Sequence, residues 1–307
     1  MENKKWTLQN IPDLSGKVVI VTGGNSGLGF ESVKAFAEKG AEVILACRSI
    51  EKGENASLKI AQSKPKGKIV VMSLDLTDLA SIKSFAADIL KDYNQLDVLL
   101  NNAGIMMSPY GLTKDGFESQ IGTNHLGHFA LTGHLIKILI STPNSRIVNV
   151  SSNAHKFGKM DFDNLLFENG KGYTPMKAYG QSKLANLLFT YELQRRLEKS
   201  GASSLSVAAH PGIAATNLAK YMEDKWWFKL LMPLASLMVQ NQADGALPQI
   251  RATVDPDVKG GQYYGPGGSG ERSGPPVLVQ SNEASHNKED AKKLWELSEQ
   301  LTGLHYL

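Results

Sequence analysis

The sequence predicts an α/β fold with a doubly wound parallel sheet, that is, a single-domain Rossmann fold with three layers, α/β/α. Six short runs rich in Val, Ile, Leu and Ala are separated by helix-length segments of mixed polarity. Strands that alternate with helices favour a parallel sheet covered on both faces. The first run ends in a glycine-rich turn, and open α/β sheets bind ligands beyond the carboxyl ends of their strands. The loops after the strands are therefore where chemistry is expected.

The predicted strands are short and continuously apolar, which is typical of strands buried on both faces of a sheet. They cover residues 17–22, 42–47, 68–73, 96–101, 145–150 and 204–210. A helical pattern over 27–39 follows the first strand. The only Gly/Pro-rich stretch, 260–276, lies near the C-terminus, so residues 1–307 are assigned to one domain with an irregular tail over 260–307.

Composition and charge exclude several classes of protein. With 42% hydrophobic and 21% charged residues, the chain has the make-up of a globular protein with a substantial core. Its net charge is only +3 and its basic residues are scattered, so neither nucleic acid nor an anionic membrane is predicted as a partner. The single cysteine, Cys47, excludes an intrachain disulfide and suits a reducing compartment.

Two further patterns concern location. Residues 1–10 contain no apolar run that could form the core of a signal peptide. The apolar stretch 226–239 is interrupted by Lys229 and Pro233, and it is shorter than the ~20 residues that a transmembrane helix needs. We therefore expect a cytoplasmic protein with no transmembrane segment.

The turn after the first strand has the composition of a phosphate-binding loop. It reads Thr-Gly-Gly-Asn-Ser-Gly-Leu-Gly over residues 22–29. Glycine allows a tight turn and a close approach to a pyrophosphate, whose charge is then met by the first amides of the following helix. Between a buried strand and a helix, this turn favours a dinucleotide site over a purely structural role.

The second strand ends in an arginine, Arg48, where an NAD-binding fold typically has an acidic residue for the ribose 2′-hydroxyl. A guanidinium can bind a 2′-phosphate through two hydrogen bonds, and no carboxylate at this position would repel that phosphate. NADP(H) is therefore favoured over NAD(H). The alternative is a solvated arginine at the start of a helix.

Tyr179 and Lys183 are four residues apart in the run Ala-Tyr-Gly-Gln-Ser-Lys-Leu, residues 178–184. On a helix this spacing places two side chains on one face, about 5–6 Å apart. A phenol has a pKa of about 10, and a neighbouring positive charge favours the phenolate, so the pair suits acid/base catalysis. The spacing alone also fits an incidental pair on a surface helix.

Distinctive residues follow the other predicted strands as well. Asp75-Leu76 follows the third strand, Asn-Asn-Ala-Gly at 101–104 ends the fourth, and Ser151-Ser152 follows the fifth. Together with the glycine turn and the Tyr-x-x-x-Lys pattern, these motifs occur in the order of the short-chain dehydrogenase/reductase superfamily. The chain resembles that superfamily from about residue 16 to at least residue 254.

The resemblance implies a cofactor site formed by the loops at the carboxyl ends of the strands. In this superfamily the glycine turn binds phosphate, the acid at the position of Asp75 binds adenine, and residues after the sixth strand contact the nicotinamide end. The implied cofactor-binding residues are Thr22, Gly23, Asn25, Ser26, Gly27, Leu28, Gly29, Arg48, Asp75, Leu76, Asn102, Ala103, Gly104, Tyr179, Lys183, Pro211, Gly212, Ile213 and Thr216.

The resemblance also implies four catalytic residues, namely Asn124, Ser152, Tyr179 and Lys183. Tyr179 would exchange a proton with the substrate oxygen, which Ser152, rather than Ser151, would hold. Lys183 would bind the nicotinamide ribose and, with the oxidised ring, lower the pKa of Tyr179. Asn124, on a long helix, would hold a water that links Lys183 to solvent. No metal is required.

Tyr179 follows Ser152 by 27 positions, about twice the separation in many members of the superfamily. Similar insertions, here including 161–167, occur in the branch of the retinol dehydrogenases and the WW-domain-containing oxidoreductase, which this sequence resembles. The branch does not assign a substrate, although a carbonyl group on a lipophilic molecule is compatible with it. The variable substrate lid of the family would fall around 215–240, where the apolar segment 225–239 fits core packing, a lid, a membrane-surface contact or a subunit interface.

The sequence thus predicts an NADP(H)-dependent oxidoreductase that transfers a hydride between the nicotinamide and a small-molecule alcohol or carbonyl. A cofactor-binding sensor or scaffold with little turnover is the alternative from another class. A nucleotide-sugar epimerase or dehydratase is disfavoured because its glycine turn is spaced differently. Members of the superfamily are commonly dimers or tetramers, so the resemblance implies a homodimer or homotetramer.

Four histidines suggest other roles. His125 and His128 lie three apart on a predicted helix, but the sequence offers no third metal ligand. His155 follows the serine pair and is a candidate for substrate contact. His210 is expected to pack against, or cap, a strand end, and Cys47 lacks the basic partner of a reactive thiol.

Overall fold

The structure is a computed structural model that describes residues 5–213 and 240–307. The predicted cofactor contact Thr216, the apolar segment 225–239 and most of the predicted lid at 215–240 lie outside these residues.

The fold is built on one sheet with the strand order β3-β2-β1-β4-β5-β6-β7-β8. All neighbouring pairs are parallel except β7 and β8, which are antiparallel. The predicted α/β Rossmann fold with a single domain is therefore confirmed, and the first six strands agree with the predicted runs to within about two residues at each end. The strands are β1 (Val18–Thr22), β2 (Glu42–Cys47), β3 (Lys68–Ser73), β4 (Val98–Asn101), β5 (Arg146–Val150), β6 (Leu205–Ala209), β7 (Tyr263–Pro266) and β8 (Pro276–Leu278).

Helices cover both faces of this sheet. A short helix, α4, passes through a π-helical turn, Gly122–Leu126, directly into α5. The helices are α1 (Gly27–Glu38), α2 (Ile50–Ala61), α3 (Leu79–Asp92), α4 (Ser119–Ile121), α5 (Gly127–Ser141), α6 (Pro175–Ser200), α7 (Gln242–Val254) and α8 (Lys288–Thr302). Among residues 5–213 and 240–307, no helix combines the length and the apolar composition that a membrane span requires.

The alternation of β1 side chains separates the core into two layers. Val19 and Val21 pack on the face covered by α1 and α7. Val18 and Ile20 point to the other face, where α3, α5 and the second half of α6 cover them. Because β1 lies between β2 and β4, the strand order reverses there, and the crevice beyond β1 is the expected place for a ligand.

The prediction of an irregular tail over 260–307 is wrong. This segment contains β7, β8 and the helix α8. Its glycines form the turn between two antiparallel strands, so the Gly/Pro-rich composition reflects a hairpin instead of a disordered end. The helix α8 has a strongly amphipathic pattern and buries Ala291, Leu294 and Trp295.

Trp295 of α8 packs in a group of rings that we call the C-terminal aromatic cluster, formed by Phe129, Phe189, Trp295 and Tyr306. The Phe129 ring lies edge-on to Trp295 with centroids 5.1 Å apart, and Phe189 stacks on Trp295 at 5.9 Å. Tyr306 completes the cluster at 4.9 Å from Phe129. The guanidinium of Arg196 covers the Trp295 ring at 4.2 Å, a favourable cation–π distance.

Candidate active site

The turn between β1 and α1 is shaped by glycine. Gly23 and Gly27 have φ values of +67° and +57°, which glycine adopts without steric strain. A Cβ on Gly29 would collide with the carbonyl oxygen of Gly23 and with Nδ2 of Asn102. The close packing of backbone at this turn therefore excludes side chains, as a loop that approaches a phosphate requires.

Thr22 joins this turn to the loop after β4. Its Oγ1 accepts hydrogen bonds from the backbone amides of Asn102 and Ala103, each at 2.9 Å. The Asn102 side chain returns a bond from Nδ2 to the Thr22 carbonyl oxygen at 2.7 Å. His128 lies on the other side of the hydroxyl, with Nε2 at 2.9 Å. The predicted cofactor residues of these two loops therefore form one rigid unit.

Two cavities at the carboxyl ends of the strands share this unit, and together we call them the cleft. The inner cavity, of about 260 Å³, is lined by the glycine turn, Asn102–Gly104, Tyr179, Lys183 and Pro211. The outer cavity, of about 460 Å³, extends to Arg48, Asp75, Leu76 and Thr77.

The cleft has the features that a dinucleotide needs. Ser26, the N-cap of α1, forms no side-chain hydrogen bond to the helix, so the first amides of α1 have no cap from that side chain. Gly23, Asn25, Ala103 and Gly104 line both cavities, which makes the cleft continuous from the inner to the outer end. The residues present fit a nicotinamide dinucleotide. The site prediction would place its nicotinamide end toward Tyr179 and its adenosine end toward Arg48.

The outer end contains Arg48, which is predicted to select the cofactor, and Asp75, which is predicted to bind the adenine. Arg48 is exposed at the end of β2, directly before Ser49, which caps α2 by accepting a hydrogen bond from the Lys52 amide. Asp75 follows β3, where its Oδ1 accepts bonds from the Thr77 amide and hydroxyl. Both side chains lie on the outer cavity, as predicted, and Asp75 is partly engaged within its own loop.

Tyr179 and Lys183 lie near the beginning of α6, which starts at Pro175 after the N-cap Thr174. Both side chains are buried, and Nζ of Lys183 is 5.7 Å from the centre of the Tyr179 ring. Nζ also donates to the carbonyl oxygen of Val150 at 3.0 Å. The helix therefore brings the two residues together on the inner cavity, as the four-residue spacing predicts.

The pKa values of this pair differ from the ordinary values of the two groups. Burial raises the pKa of Tyr179 to about 12, and the nearby Ser152 hydroxyl opposes this effect only in part. Burial lowers the pKa of Lys183 to about 8. Without cofactor, burial is thus the main influence on the Tyr179 pKa, because it removes the phenolate from water. The predicted lowering of this pKa by Lys183 and the oxidised nicotinamide concerns the cofactor-bound state and stays a prediction.

The structure distinguishes between the two serines after β5. Ser151 is buried, and its Oγ donates to the backbone carbonyl oxygen of Lys183 at 2.8 Å. Ser152 is half-buried, and its hydroxyl is close enough to the Tyr179 phenol to lower the pKa of that phenol. Its Oγ also accepts a bond from the Ala154 amide at 3.2 Å. Ser152 is therefore the serine that the fold places beside Tyr179.

Asn124 lies inside the π-helical turn between α4 and α5 and is fully buried. Its Oδ1 accepts from the Ile105 amide at 2.8 Å, and its Nδ2 donates to the Ile105 carbonyl oxygen and to Oγ of Ser182. The side chain thus connects the loop after β4 to α6. The predicted role of Asn124 in holding a water beside Lys183 stays a prediction.

The histidines have structural partners. His128 Nδ1 lies 3.1 Å from the Asn124 carbonyl oxygen, and His125 Nε2 lies 2.8 Å from Oγ of Ser298. Burial lowers the pKa of His125 to about 3 and that of His128 to about 4, so both rings are neutral. Within the described part of the chain, no group of three or more His, Cys, Asp or Glu side chains is placed to hold a metal ion.

His155 does not face the cleft, so the candidate substrate contact is wrong. The ring is fully buried, with Nδ1 2.6 Å from the Ser152 carbonyl oxygen and Nε2 accepting from the Asn282 amide at 3.3 Å. It packs edge-on against Tyr263. His210 caps the strand end as predicted, since Nδ1 accepts from the Gly212 amide at 3.2 Å.

The sequence analysis missed Gln249, which orients Asn102 in the loop after β4. Gln249, on α7, donates from Nε2 to Oδ1 of Asn102 and to Oγ of Ser32, both at 2.9 Å. It thereby fixes the Asn102 amide that also bonds Thr22. Asn102 and Gln249 are 147 positions apart in the chain, so no local motif could reveal the contact.

The fold and the cleft together define a Rossmann-type oxidoreductase that uses a nicotinamide dinucleotide. The sequence comparisons give the group within that class. The short chain dehydrogenase family matches residues 17–165. Human retinol dehydrogenase 11 is 42% identical over 296 residues, covering 95% of this chain and 87% of that protein. The chain belongs to the short-chain dehydrogenase family.

Two further relatives agree with this placement. Mouse retinol dehydrogenase 12 is 38% identical over 295 residues, covering 95% of this chain and 88% of that protein. The crystal structure of an uncharacterized protein from Mycobacterium paratuberculosis is 40% identical, with a TM-score of 0.82 and 99% coverage of both chains. The predicted resemblance to the retinol dehydrogenase branch is therefore confirmed.

Proposed function

We propose that this chain is an NADP(H)-dependent oxidoreductase that interconverts an alcohol and a carbonyl compound, with Tyr179 as the proton donor and acceptor. One observation carries the proposal. The Tyr179 phenol is buried at the inner end of a dinucleotide-shaped cleft, within hydrogen-bonding reach of Ser152 and beside Lys183. When bound, the nicotinamide ring supplies or accepts the hydride.

The side chains of the cleft divide the remaining chemistry among them. At neutral pH the Tyr179 phenol carries its proton, which it can donate to a carbonyl oxygen that hydrogen-bonds to it. The Ser152 hydroxyl orients that oxygen and stabilises the charge that forms on it. Lys183, with a pKa of about 8, is mainly protonated at pH 7 and offers hydrogen bonds to ribose hydroxyls.

Arg48 supports NADP(H) as the cofactor. It lies on the outer cavity immediately before the capped start of α2. A guanidinium at this position can take the planar, two-hydrogen-bond geometry that a phosphate accepts. Asp75, the acid on the same cavity, follows β3 and directs its Oδ1 toward Thr77, so it does not replace the missing acid after β2.

Exposed apolar side chains near the inner cavity support a lipophilic substrate. Phe157 is 52% exposed and packs against Gly180, the neighbour of Tyr179. Met176, 53% exposed, is one turn before Gly180 on α6, and Ile213, 42% exposed, follows Gly212. Apolar surface beside a reactive centre suits the binding of an apolar molecule. The names of the retinol dehydrogenase relatives point to the same substrate class.

A substrate screen tests this function. The protein is mixed with NADPH and a panel of short-chain, aromatic and long-chain aldehydes and ketones, and cofactor oxidation is followed by its absorbance. We expect turnover that increases with the apolar character of the carbonyl compound and that is lost in Tyr179→Phe. Cofactor binding without turnover of any compound would instead support the sensor or scaffold function.

We further infer a cytoplasmic location and a homodimer or homotetramer. The first inference rests on the chain's composition and the second on family membership. Cell fractionation and light scattering of the purified protein test them separately.

A further inference from the structure

Glu271 lies in the glycine-rich loop that connects β7 to β8, residues 267–275, which we call the β7–β8 loop. Two backbone hydrogen bonds hold the loop together, from Gly267 to Pro275 at 2.8 Å and from Gly268 to Ser273 at 2.9 Å. Neither the sequence motifs nor the cofactor cleft assigns this loop a function. Its position beside the loops after β5 and β6 makes it relevant to the active site.

The carboxylate of Glu271 bridges two other segments. Oε2 lies 2.9 Å from Nε2 of His210, and Oε1 accepts from Nζ of Lys156 at 3.1 Å. His210 Nδ1 already accepts from the Gly212 amide, so the neutral ring carries its hydrogen on Nε2. The contact between Nε2 and Oε2 is close but is not aligned as a hydrogen bond. The backbone carbonyl oxygen of Glu271 in addition accepts from Nδ2 of Asn153 at 3.2 Å.

These partners are the immediate neighbours of active-site residues. Asn153 follows Ser152, the serine beside Tyr179, and Lys156 is in the same short helical turn, Asn153–Phe157. His210 precedes Pro211, which lines the inner cavity. The amide of Ile213 donates to the Arg272 carbonyl oxygen at 2.8 Å, so the β7–β8 loop contacts both ends of the 210–213 segment. One residue thus connects the loop that carries Ser152 with the loop that borders the nicotinamide end.

The backbone of Glu271 is in a conformation that glycine would adopt more easily. Its φ is +54°, in the left-handed region, and the preceding Gly270 has a φ of +64°. A non-glycine residue in this region is strained unless its surroundings stabilise it. In a loop otherwise rich in glycine, the presence of a charged side chain here indicates that the carboxylate has a role of its own.

We propose that Glu271 is a positioning residue for the reaction, which fixes Ser152 relative to the Pro211–Gly212 segment and so sets where the substrate oxygen lies between Tyr179 and the nicotinamide. The inference rests on the proposed function. Glu271 acts through His210, Lys156 and Asn153, and it touches neither substrate nor cofactor. Because the adenosine end of the cleft is formed by other loops, removal of the carboxylate should affect substrate turnover and leave most of the cofactor affinity intact.

The variant Glu271→Gly separates this role from a purely structural one. Glycine relieves the backbone strain while it removes the carboxylate. We expect kcat/KM for the carbonyl compound to fall about 10- to 100-fold, as for other small losses of alignment. The melting temperature should stay equal or rise, and the Kd for NADPH should change less than about twofold. Wild-type kcat/KM in Glu271→Gly, with normal folding, would overturn the proposal.

Two further variants refine the test. Glu271→Gln retains the size and one acceptor oxygen, so its kcat/KM should lie between those of the wild type and Glu271→Gly. Glu283→Gln, which changes an exposed carboxylate of the neighbouring turn, is the matched control and should behave as the wild type.

Hydrogen exchange tests the positioning role without any substrate. In Glu271→Gly we expect faster exchange at Ile213 and in residues 153–158, the segments that Glu271 connects, and no change in α1 or α2. Unchanged exchange in both segments would overturn the proposal. If the wild type reduces no carbonyl compound, the proposed function fails, and the exchange result still decides whether Glu271 connects the two loops.

Discussion

The cleft and the C-terminal aromatic cluster share the helix α6, but they bury opposite kinds of side chain. At the cleft, α6 buries the phenol of Tyr179 and the ammonium of Lys183, two groups whose charged forms are more stable in water. Fewer than two turns after Lys183, the same helix buries Phe189, which stacks on Trp295. Apolar burial in the cluster is favourable, whereas burial of an ionisable group in the cleft is unfavourable.

This difference in what is buried indicates how the first half of α6, which carries Tyr179 and Lys183, is held in place. Burial displaces the pKa of Lys183 from its ordinary 10.5 to about 8, a sign that the folded state disfavours the ammonium. The cluster offsets this by fixing the second half of α6 against α5 and α8. We therefore expect substitutions in the two regions to separate activity from stability.

The largest effect is expected for Tyr179→Phe. Loss of the proton donor should lower kcat by about 10²- to 10⁴-fold, the usual contribution of general acid–base catalysis. NADPH binding, measured by fluorescence titration, should remain close to that of the wild type, because the ring itself is retained. Tyr93→Phe is the matched control, since the Tyr93 hydroxyl bonds Glu42 at the amino end of β2, away from the cleft at the carboxyl ends. Equal losses in the two variants would contradict an acid/base role for Tyr179.

Trp295→Ala should produce the largest effect on stability. Removal of a buried tryptophan from the cluster should lower the free energy of unfolding by about 3–5 kcal/mol, as measured by urea denaturation. At a temperature where the variant is folded, kcat/KM should be nearly unchanged, because no ring of the cluster lines the cleft. Leu58→Ala, at a side chain that is 67% exposed, should change the unfolding free energy by less than about 0.5 kcal/mol. A similar value for both variants would mean that the cluster does not anchor α6.

Lys183→Met should raise the stability of the protein at pH 7, whereas most substitutions of buried residues lower it. The folded pKa of Lys183, about 8, lies below its ordinary value of 10.5, so the folded state binds fewer protons between these pH values. The wild type is therefore destabilised below pH 8 and recovers as the pH rises through this window. At pH 7 the variant should be more stable, by up to about 3 kcal/mol, and almost inactive.

Unfolding curves at pH 7 and pH 10 check this prediction. The stability difference between Lys183→Met and the wild type should become smaller at the higher pH. A variant that is less stable than the wild type at pH 7 would show that the ammonium is well compensated by its neighbours.

The smallest effect is expected at the exposed outer end of the cleft. Arg48→Asp should lower the ratio of kcat/KM for NADPH to that for NADH by about tenfold or more, about 1.4 kcal/mol, through lost attraction and added repulsion. Lys66→Asp, the same charge change at an exposed site near the amino ends of the strands, is the control. An unchanged ratio in Arg48→Asp would remove the argument for NADP(H).

Much of the fold could be predicted because its signals are local. The apolar runs 17–22 and 42–47 form β1 and β2, and Gly23 and Gly27 have positive φ values in the tight turn that the composition predicts. The Tyr179–Lys183 spacing also held, since helix geometry alone brings the two side chains together.

What could not be predicted depends on long-range packing. Arg196 contacts Trp295, 99 positions further along the chain. Apart from the amphipathic pattern of α8, no local sequence pattern therefore predicts that the C-terminal segment folds against α6. The raised pKa of Tyr179 follows from burial, which only the assembled fold defines. The position of His155 just after the serine pair suggested a substrate contact. Its ring instead turns away from the cleft and contacts backbone groups of Ser152 and Asn282.

The caps of α6 bear on how chain length can vary in relatives of this protein. Thr174 accepts a hydrogen bond from the Lys177 amide and Pro175 occupies the first turn, so the start of α6 is fixed locally. Residues inserted or deleted before Thr174 would change the size of the preceding loop without rotating Tyr179. One residue gained or lost between Pro175 and Tyr179 would turn the phenol by about 100° about the helix axis and direct it away from the cleft. Insertions and deletions before Thr174 are therefore compatible with an intact cleft. Those between Pro175 and Tyr179 are not.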